Sequence, residues 1–165
     1  MYRVWFRIMY ALNCVQPYHQ ITKHIWLGNY YAAQDLDFLK HNNIEIIINC
    51  TPNIPHHFSK QFTYYRIPIY DDRSIDTNVY MAQLMTKYTD IIHHLVSENK
   101  NIFIHCNAGA QRSATILYSY LYKYGNYDSK STIKFIKSRR PGAFSPLCNF
   151  HYAIHSFHDK LITNK

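Results

Sequence analysis

The chain has 165 residues, 47% of them hydrophobic and 16% aromatic. That is enough apolar material for one well-packed domain, too little chain for two ordinary ones, and the wrong composition for intrinsic disorder. The formal charge of +8 favours negatively charged partners, whether nucleic acid, an acidic membrane surface or phosphorylated protein. The basic residues are scattered except around Lys134, Lys137, Arg139 and Arg140, so no basic tail argues for nucleic acid.

Residues 1–20 form a separate N-terminal segment. Val4, Ile8 and Ala11-Leu12, with Trp5 and Met9 beside them, recur at helical spacing and predict a short amphipathic helix. Arg3 and Arg7 interrupt the apolar run and no small-residue cleavage site follows, so a secretory leader is not expected. A lone apolar helix packs first on its own domain; the alternative is a homodimer in which it packs on a second copy. Gln16-Pro17-Tyr18 breaks the pattern. Ile25 to Gly28 predicts an edge strand and turn, and Ala32 to His41 a helix. Ile44 to Asn49 is a β-branched burst expected of a strand buried on both faces. Cys50 at its end is expected to pack, with a redox partnership with Cys106 as the alternative. His56-His57 falls in a loop at the surface without further ligands at metal spacing. Phe62 to Ile69 predicts another strand, and Thr77 to Val96 a helix with Asp76 as its N-cap. Asn101 to His105 predicts the last central strand. Helices follow over Ser113 to Tyr124, Asp128 to Arg139 and Ser145 to Leu161, the first closed by Gly125-Asn126. This alternation predicts an α/β fold, a mostly parallel central sheet flanked by helices, with ligands at the C-terminal ends of the strands.

One such end carries Ile104-His105-Cys106-Asn107-Ala108-Gly109-Ala110-Gln111-Arg112-Ser113. A strand, a tight loop and a helix start follow one another directly. A helix N-terminus presents unpaired N–H groups and positive potential, and a loop curling over it adds inward amides. A cysteine at the floor of that nest is expected to be a thiolate near neutrality. Arg112 can grip two oxygens of a tetrahedral anion with its planar fork, and Gly109 supplies backbone freedom. A phosphate ester also needs a proton for its leaving oxygen, which a carboxylic acid above the nest can supply. Asp71 and Asp72, between Ile69 and Val79, are the candidates.

The string His105-Cys106-x-Ala108-Gly109-x-x-Arg112-Ser113 resembles the phosphate-binding loop of cysteine-based protein tyrosine phosphatases. Ala108-Gly109 and Ser113-Ala114-Thr115 resemble its dual-specificity branch in particular. Ile67-Pro68-Ile69-Tyr70-Asp71 is similar to that family's Ile-Pro-x-x-Asp segment, which selects Asp71 over Asp72. The likeness covers roughly residues 22 to 160, so residues 21–165 are expected to form the catalytic domain of such an enzyme. In the segment from Arg140-Pro141 to Asn149-Phe150 the family's Pro-Asn spacing is not kept, and no substrate role is assigned there.

The resemblance implies a protein phosphatase acting on phosphotyrosine and phosphoserine/threonine through a cysteinyl-phosphate intermediate. Cys106 would be the nucleophile, Asp71 the acid and then the base, and Ser113 a hydrogen-bond donor to the departing sulfur. Arg112 and the amides of Asn107, Ala108, Gly109, Ala110, Gln111 and Arg112 would hold the phosphoryl oxygens. His105 orders the loop. No metal or other cofactor is expected. The partner implied is a phosphorylated protein, in a reducing compartment, cytoplasmic or nuclear. No stretch is long enough to span a membrane, and four widely spaced cysteines suggest neither structural zinc nor disulfides. The alternatives are an RNA 5′-triphosphatase, a phosphoinositide phosphatase or a non-catalytic phosphoprotein-binding module. Lysines typical of lipid-directed loops are replaced by Ala110 and Gln111, and Ser113 stands where RNA-directed relatives usually carry Thr.

Overall fold

Strands of four or five residues, the central ones mostly apolar, build the sheet of the computed structural model, which describes residues 16–163. The strands are β1 (Tyr18–Thr22), β2 (Ile25–Gly28), β3 (Ile46–Asn49), β4 (Thr63–Arg66) and β5 (Ile102–His105). Their spatial order is β1-β2-β5-β3-β4, with β1 antiparallel to β2 and every other neighbour parallel. β2, β3 and β5 are buried along their whole length, as strands covered on both faces should be.

Strand alternation divides the core in two. Ile46, Ile48, Ile102 and Ile104 point into the larger cluster with Met81, Met85, Ile116, Leu117 and Phe157. Ile47 and Phe103 point the other way and meet Trp26, Phe38 and Leu39. The helices are α1 (Leu36–His41), α2 (Ile75–Ser97), α3 (Arg112–Tyr124), α4 (Ser129–Arg139) and α5 (His151–Thr163). α2, α3 and α5 supply most of the larger cluster, and α1 covers the smaller one behind a single 3-10 turn, Ala32–Gln34.

Several expectations are corrected. Ile25–Gly28 is an inner strand; the edge is β1, whose first residue Tyr18 pairs with Gly28. Its mixed pattern, with Ile21 alone fully buried, hid it from a reading based on apolar runs. The boundary at residue 20 therefore falls within a strand, and the proposed N-terminal helix lies outside the described residues. α2 begins earlier than expected because Ser74, not Asp76, is its N-cap: Ser74 Oγ accepts from the Thr77 N–H at 3.2 Å. α5 begins at His151 rather than Ser145. Residues 140–150 run as an irregular loop, in which Phe144 has φ of 56° and Ser145-Pro146 is a cis peptide. His56 is half-buried and stacks on Tyr64 at 4.2 Å instead of facing solvent.

His105 ends β5 at 1% exposure, its ring stacked against Phe103 at 5.5 Å. Burial pushes its pKa from 6.5 down to about 3, so the ring is neutral. The unfolded chain binds a proton there that the folded chain refuses, so stability is lost as pH falls from 6.5 towards 3. A His105→Gln variant should lose less stability than the wild type between neutral and acidic pH in urea titrations; an identical loss would refute the assignment. Ser74→Ala should lower stability by about 1 kcal/mol and Asp76→Ala by less than about half of that. A larger effect at Asp76 would restore it as the cap.

Candidate active site

The loop from Cys106 to Gln111 joins β5 to α3, and each of its carbonyls has a donor behind it. Asn107 O accepts from the Tyr30 N–H at 3.1 Å and Ala110 O from the Phe144 N–H at 2.8 Å. Gly109 O and Ala108 O accept from Arg140, through Nε at 2.7 Å and Nη2 at 3.0 Å. Gln111 O accepts from the Thr115 N–H and its hydroxyl, both at 2.9 Å. A trans peptide plane points its N–H opposite its carbonyl, so rearward carbonyls turn the amides of residues 108–112 to the front. The Gly109 N–H accordingly donates to Cys106 Sγ at 3.2 Å. Gly109 has φ of 65°, and a Cβ there would run into the Gly28 carbonyl and lie 2.8 Å from Arg140 Nη2. Both the conformation and the space require glycine.

Cys106 is fully buried, and its Sγ also accepts from Ser113 Oγ at 3.2 Å. Burial pushes the thiol up, but the Arg112 guanidinium and the Ser113 hydrogen bonds outweigh it and the net shift is downward. Arg112 reaches out of the first turn of α3. Its Nη1 donates to Ile69 O at 3.3 Å, and its Nε lies 3.4 Å from Asp71 Oδ2 as an ion pair. Asp71 Oδ1 in turn accepts from Asn149 Nδ2 at 2.8 Å. Asp72 faces elsewhere: its Oδ1 accepts from the Ser74 N–H at 2.9 Å and the Ser74 hydroxyl at 2.7 Å. The structure thus brings Cys106, Arg112, Ser113 and Asp71 together and leaves Asp72 supporting the cap of α2.

His105 lies behind the loop, with Nδ1 3.4 Å from Cys106 O. Cys50 is fully buried, and its thiol is pushed well up by burial and by the neighbouring Cys106. Cys50 and Cys106 are both free thiols. Among the described residues no cluster of three or more His, Cys, Asp or Glu side chains is placed to hold a metal ion.

Two residues of the site were not found from sequence. Asn149 holds Asp71 while its Oδ1 accepts from Arg73 Nε at 3.0 Å and its backbone N–H donates to Gln111 Oε1 at 3.0 Å. Gln111 Nε2 reaches Ser145 O at 3.2 Å and Leu147 O at 2.8 Å, so it fastens the loop that carries Asn149. The altered Pro-Asn spacing masked this residue. In sequence Arg140 groups with Lys134, Lys137 and Arg139 as a run of basic residues, and it is 2% exposed. Its neighbour Pro141, which ends the helix, was the available signal that the two adjacent arginines face different ways.

The family model for "Dual specificity phosphatase, catalytic domain" matches residues 25–160. Dual specificity protein phosphatase 1-A of Xenopus laevis is 29% identical over 143 residues, covering 87% of this chain and 37% of the relative. Dual specificity protein phosphatase 21 of Homo sapiens is 29% identical over 146 residues, covering 85% of this chain and 75% of that one. The chain therefore spans well under half the length of the first of these relatives. Among solved structures, a mouse putative dual specificity phosphatase complexed with zinc tungstate superposes with a TM-score of 0.79 at 20% identity, covering 90% of each chain. Human DUSP28 superposes with a TM-score of 0.77 at 19% identity, covering 89% of this chain and 96% of its own, a likeness of fold. With its catalytic-domain match running from β2 into α5, this chain belongs to the dual specificity phosphatase family.

Proposed function

We propose that the site hydrolyses phosphotyrosine and phosphoserine/threonine in proteins through a cysteinyl-phosphate intermediate. The observation that supports this reading best is the Arg112–Asp71 pair at 3.4 Å, a carboxyl group against the same guanidinium whose charge lowers the Cys106 thiol pKa, with the Gly109 amide on the sulfur. The Cys106 thiolate attacks phosphorus, and the bond from phosphorus to the leaving oxygen breaks. Asp71, in its protonated form, gives that oxygen its proton. The amides of Asn107, Ala108, Gly109, Ala110, Gln111 and Arg112, with the Arg112 fork, hold the remaining phosphoryl oxygens. Asp71 then takes a proton from water, which attacks phosphorus and expels Cys106; the Ser113 hydroxyl, already 3.2 Å from Sγ, stabilises the departing thiolate.

The family membership supports a protein substrate, and the complete set of nucleophile, clamp and acid argues against a module that only binds. Nothing in the chemistry calls for a metal, because Arg112 and the amides supply the positive potential. A reduced Cys106 is required, which supports a reducing compartment such as the cytoplasm or nucleus. No helix among the described residues is long and apolar enough to cross a membrane. A homodimer through the N-terminal segment rests on the spacing of Val4, Ile8 and Ala11 alone.

Asp71→Asn should lower kcat on an aryl phosphopeptide by roughly 100-fold or more with KM little changed, and Asp72→Asn by less than about threefold. A greater loss at Asp72 would reverse the assignment. Rates on phosphotyrosine peptide, phosphothreonine peptide, RNA 5′-triphosphate and phosphoinositide identify the substrate class; faster turnover of either of the last two overturns the protein-phosphatase reading.

A further inference from the structure

Arg140 is a buried cation with no carboxylate partner among the described residues. It is 2% exposed, and none of the ion pairs among the described residues includes it. Burying a guanidinium in this way is unfavourable unless its donors are well matched. Each face of its fork is in use. Nε and Nη2 take the adjacent carbonyls of Gly109 and Ala108, at 2.7 and 3.0 Å. Nη1 donates to Gln16 O at 3.2 Å and meets His19 Nδ1 at 3.0 Å. Burial and the Arg140 charge both lower the His19 pKa, leaving the ring free to accept. Burial brings the Arg140 pKa down to about 10, still protonated near neutrality, and the Cys106 charge pulls it back upward.

The two carbonyls belong to successive peptide planes, Ala108–Gly109 and Gly109–Ala110. The N–H groups on their opposite sides are those of Gly109 and Ala110, and the first of these reaches Cys106 Sγ. We propose that Arg140 is a positioning residue for catalysis: its planar fork pins both carbonyls rearward, which keeps the Gly109 and Ala110 amides aimed at the sulfur and the incoming phosphoryl oxygens, and its charge stands behind the thiolate. The proposal rests on the cysteinyl-phosphate reading above. A lysine, with one point-like ammonium, would preserve the charge but cannot hold two carbonyls in fixed geometry.

The test uses Arg140→Met and Arg140→Lys in the full chain. Four quantities are measured: thermal melting; the pH profile of iodoacetamide alkylation at Cys106, followed by mass spectrometry of its peptide; competitive inhibition by inorganic phosphate; and kcat and KM on an aryl phosphate. Arg140→Met should raise the alkylation midpoint by about one pH unit or more and weaken phosphate inhibition by about 10-fold or more. Its kcat/KM should fall by about 30-fold or more. Arg140→Lys should keep the alkylation midpoint within about half a unit while phosphate inhibition still weakens about 10-fold. A folded Arg140→Met protein that melts lower but keeps alkylation, inhibition and kcat/KM within about twofold shows a purely structural residue and overturns the proposal. Should Arg140→Met not fold, Arg140→Lys decides: phosphate inhibition within about twofold of wild type overturns it, and a clear weakening supports it. Cys106→Ser in the wild-type background separates the two readings. Turnover surviving that change refutes the cysteine mechanism and this proposal with it; turnover abolished there, with Arg140 variants unaffected, refutes this proposal alone.

Discussion

The planarity of the peptide bond governs this site. Amides can converge on Cys106 only if the carbonyls of the same planes turn away, and carbonyls turned into a protein interior must find donors. The fold provides them from separate elements: Tyr30 just after β2, Thr115 in the first turn of α3, Arg140 at the end of α4 and Phe144 in the loop before α5. Thr115 is local, but Tyr30, Arg140 and Phe144 are distant in sequence from the loop, and the parallel pairing of β2 with β5 brings the first of them against it. An anion cradle of this kind is therefore a property of the whole domain, even though its front is a single short loop.

Charge is balanced as closely as geometry. A fully buried thiol would ordinarily resist ionisation, and Cys50, one strand away, shows that tendency, its thiol pushed well up. Cys106 departs from it because Arg112 and Ser113 outweigh burial, while Asp71 acts in the opposite sense. Asp71 lies against Arg112 Nε and is held by Asn149. A phosphate dianion brought to Arg112 would compete for the same guanidinium.

Local signals made the centre of the molecule legible from the sequence. The apolar strand, Gly109 and the helical pattern after Arg112 announced the loop, and the Ile-Pro segment pointed to Asp71. Less was legible where the decisive contact is distant in sequence. β1 carries few apolar residues and gains its place from pairing with β2, so it read as part of a separate segment. Ser74 and Asp76 are both good caps by type, and only the orientation of the Ser74 hydroxyl towards Thr77 separates them. Arg140 and Asn149 act 31 and 78 residues from the groups they hold, Gly109 and Asp71, and no local pattern encodes that reach.

The mechanism requires that the Cys106 sulfur itself receive the phosphoryl group. Acid quench of the enzyme during steady turnover of a phosphotyrosine peptide, followed by digestion and mass spectrometry, tests it most directly. One phosphoryl group is expected on the peptide containing Cys106, accumulating in the wild type and absent in Cys106→Ser. Phosphoryl transfer to any other residue, or full turnover with no protein-bound phosphate at any quench time, would contradict it.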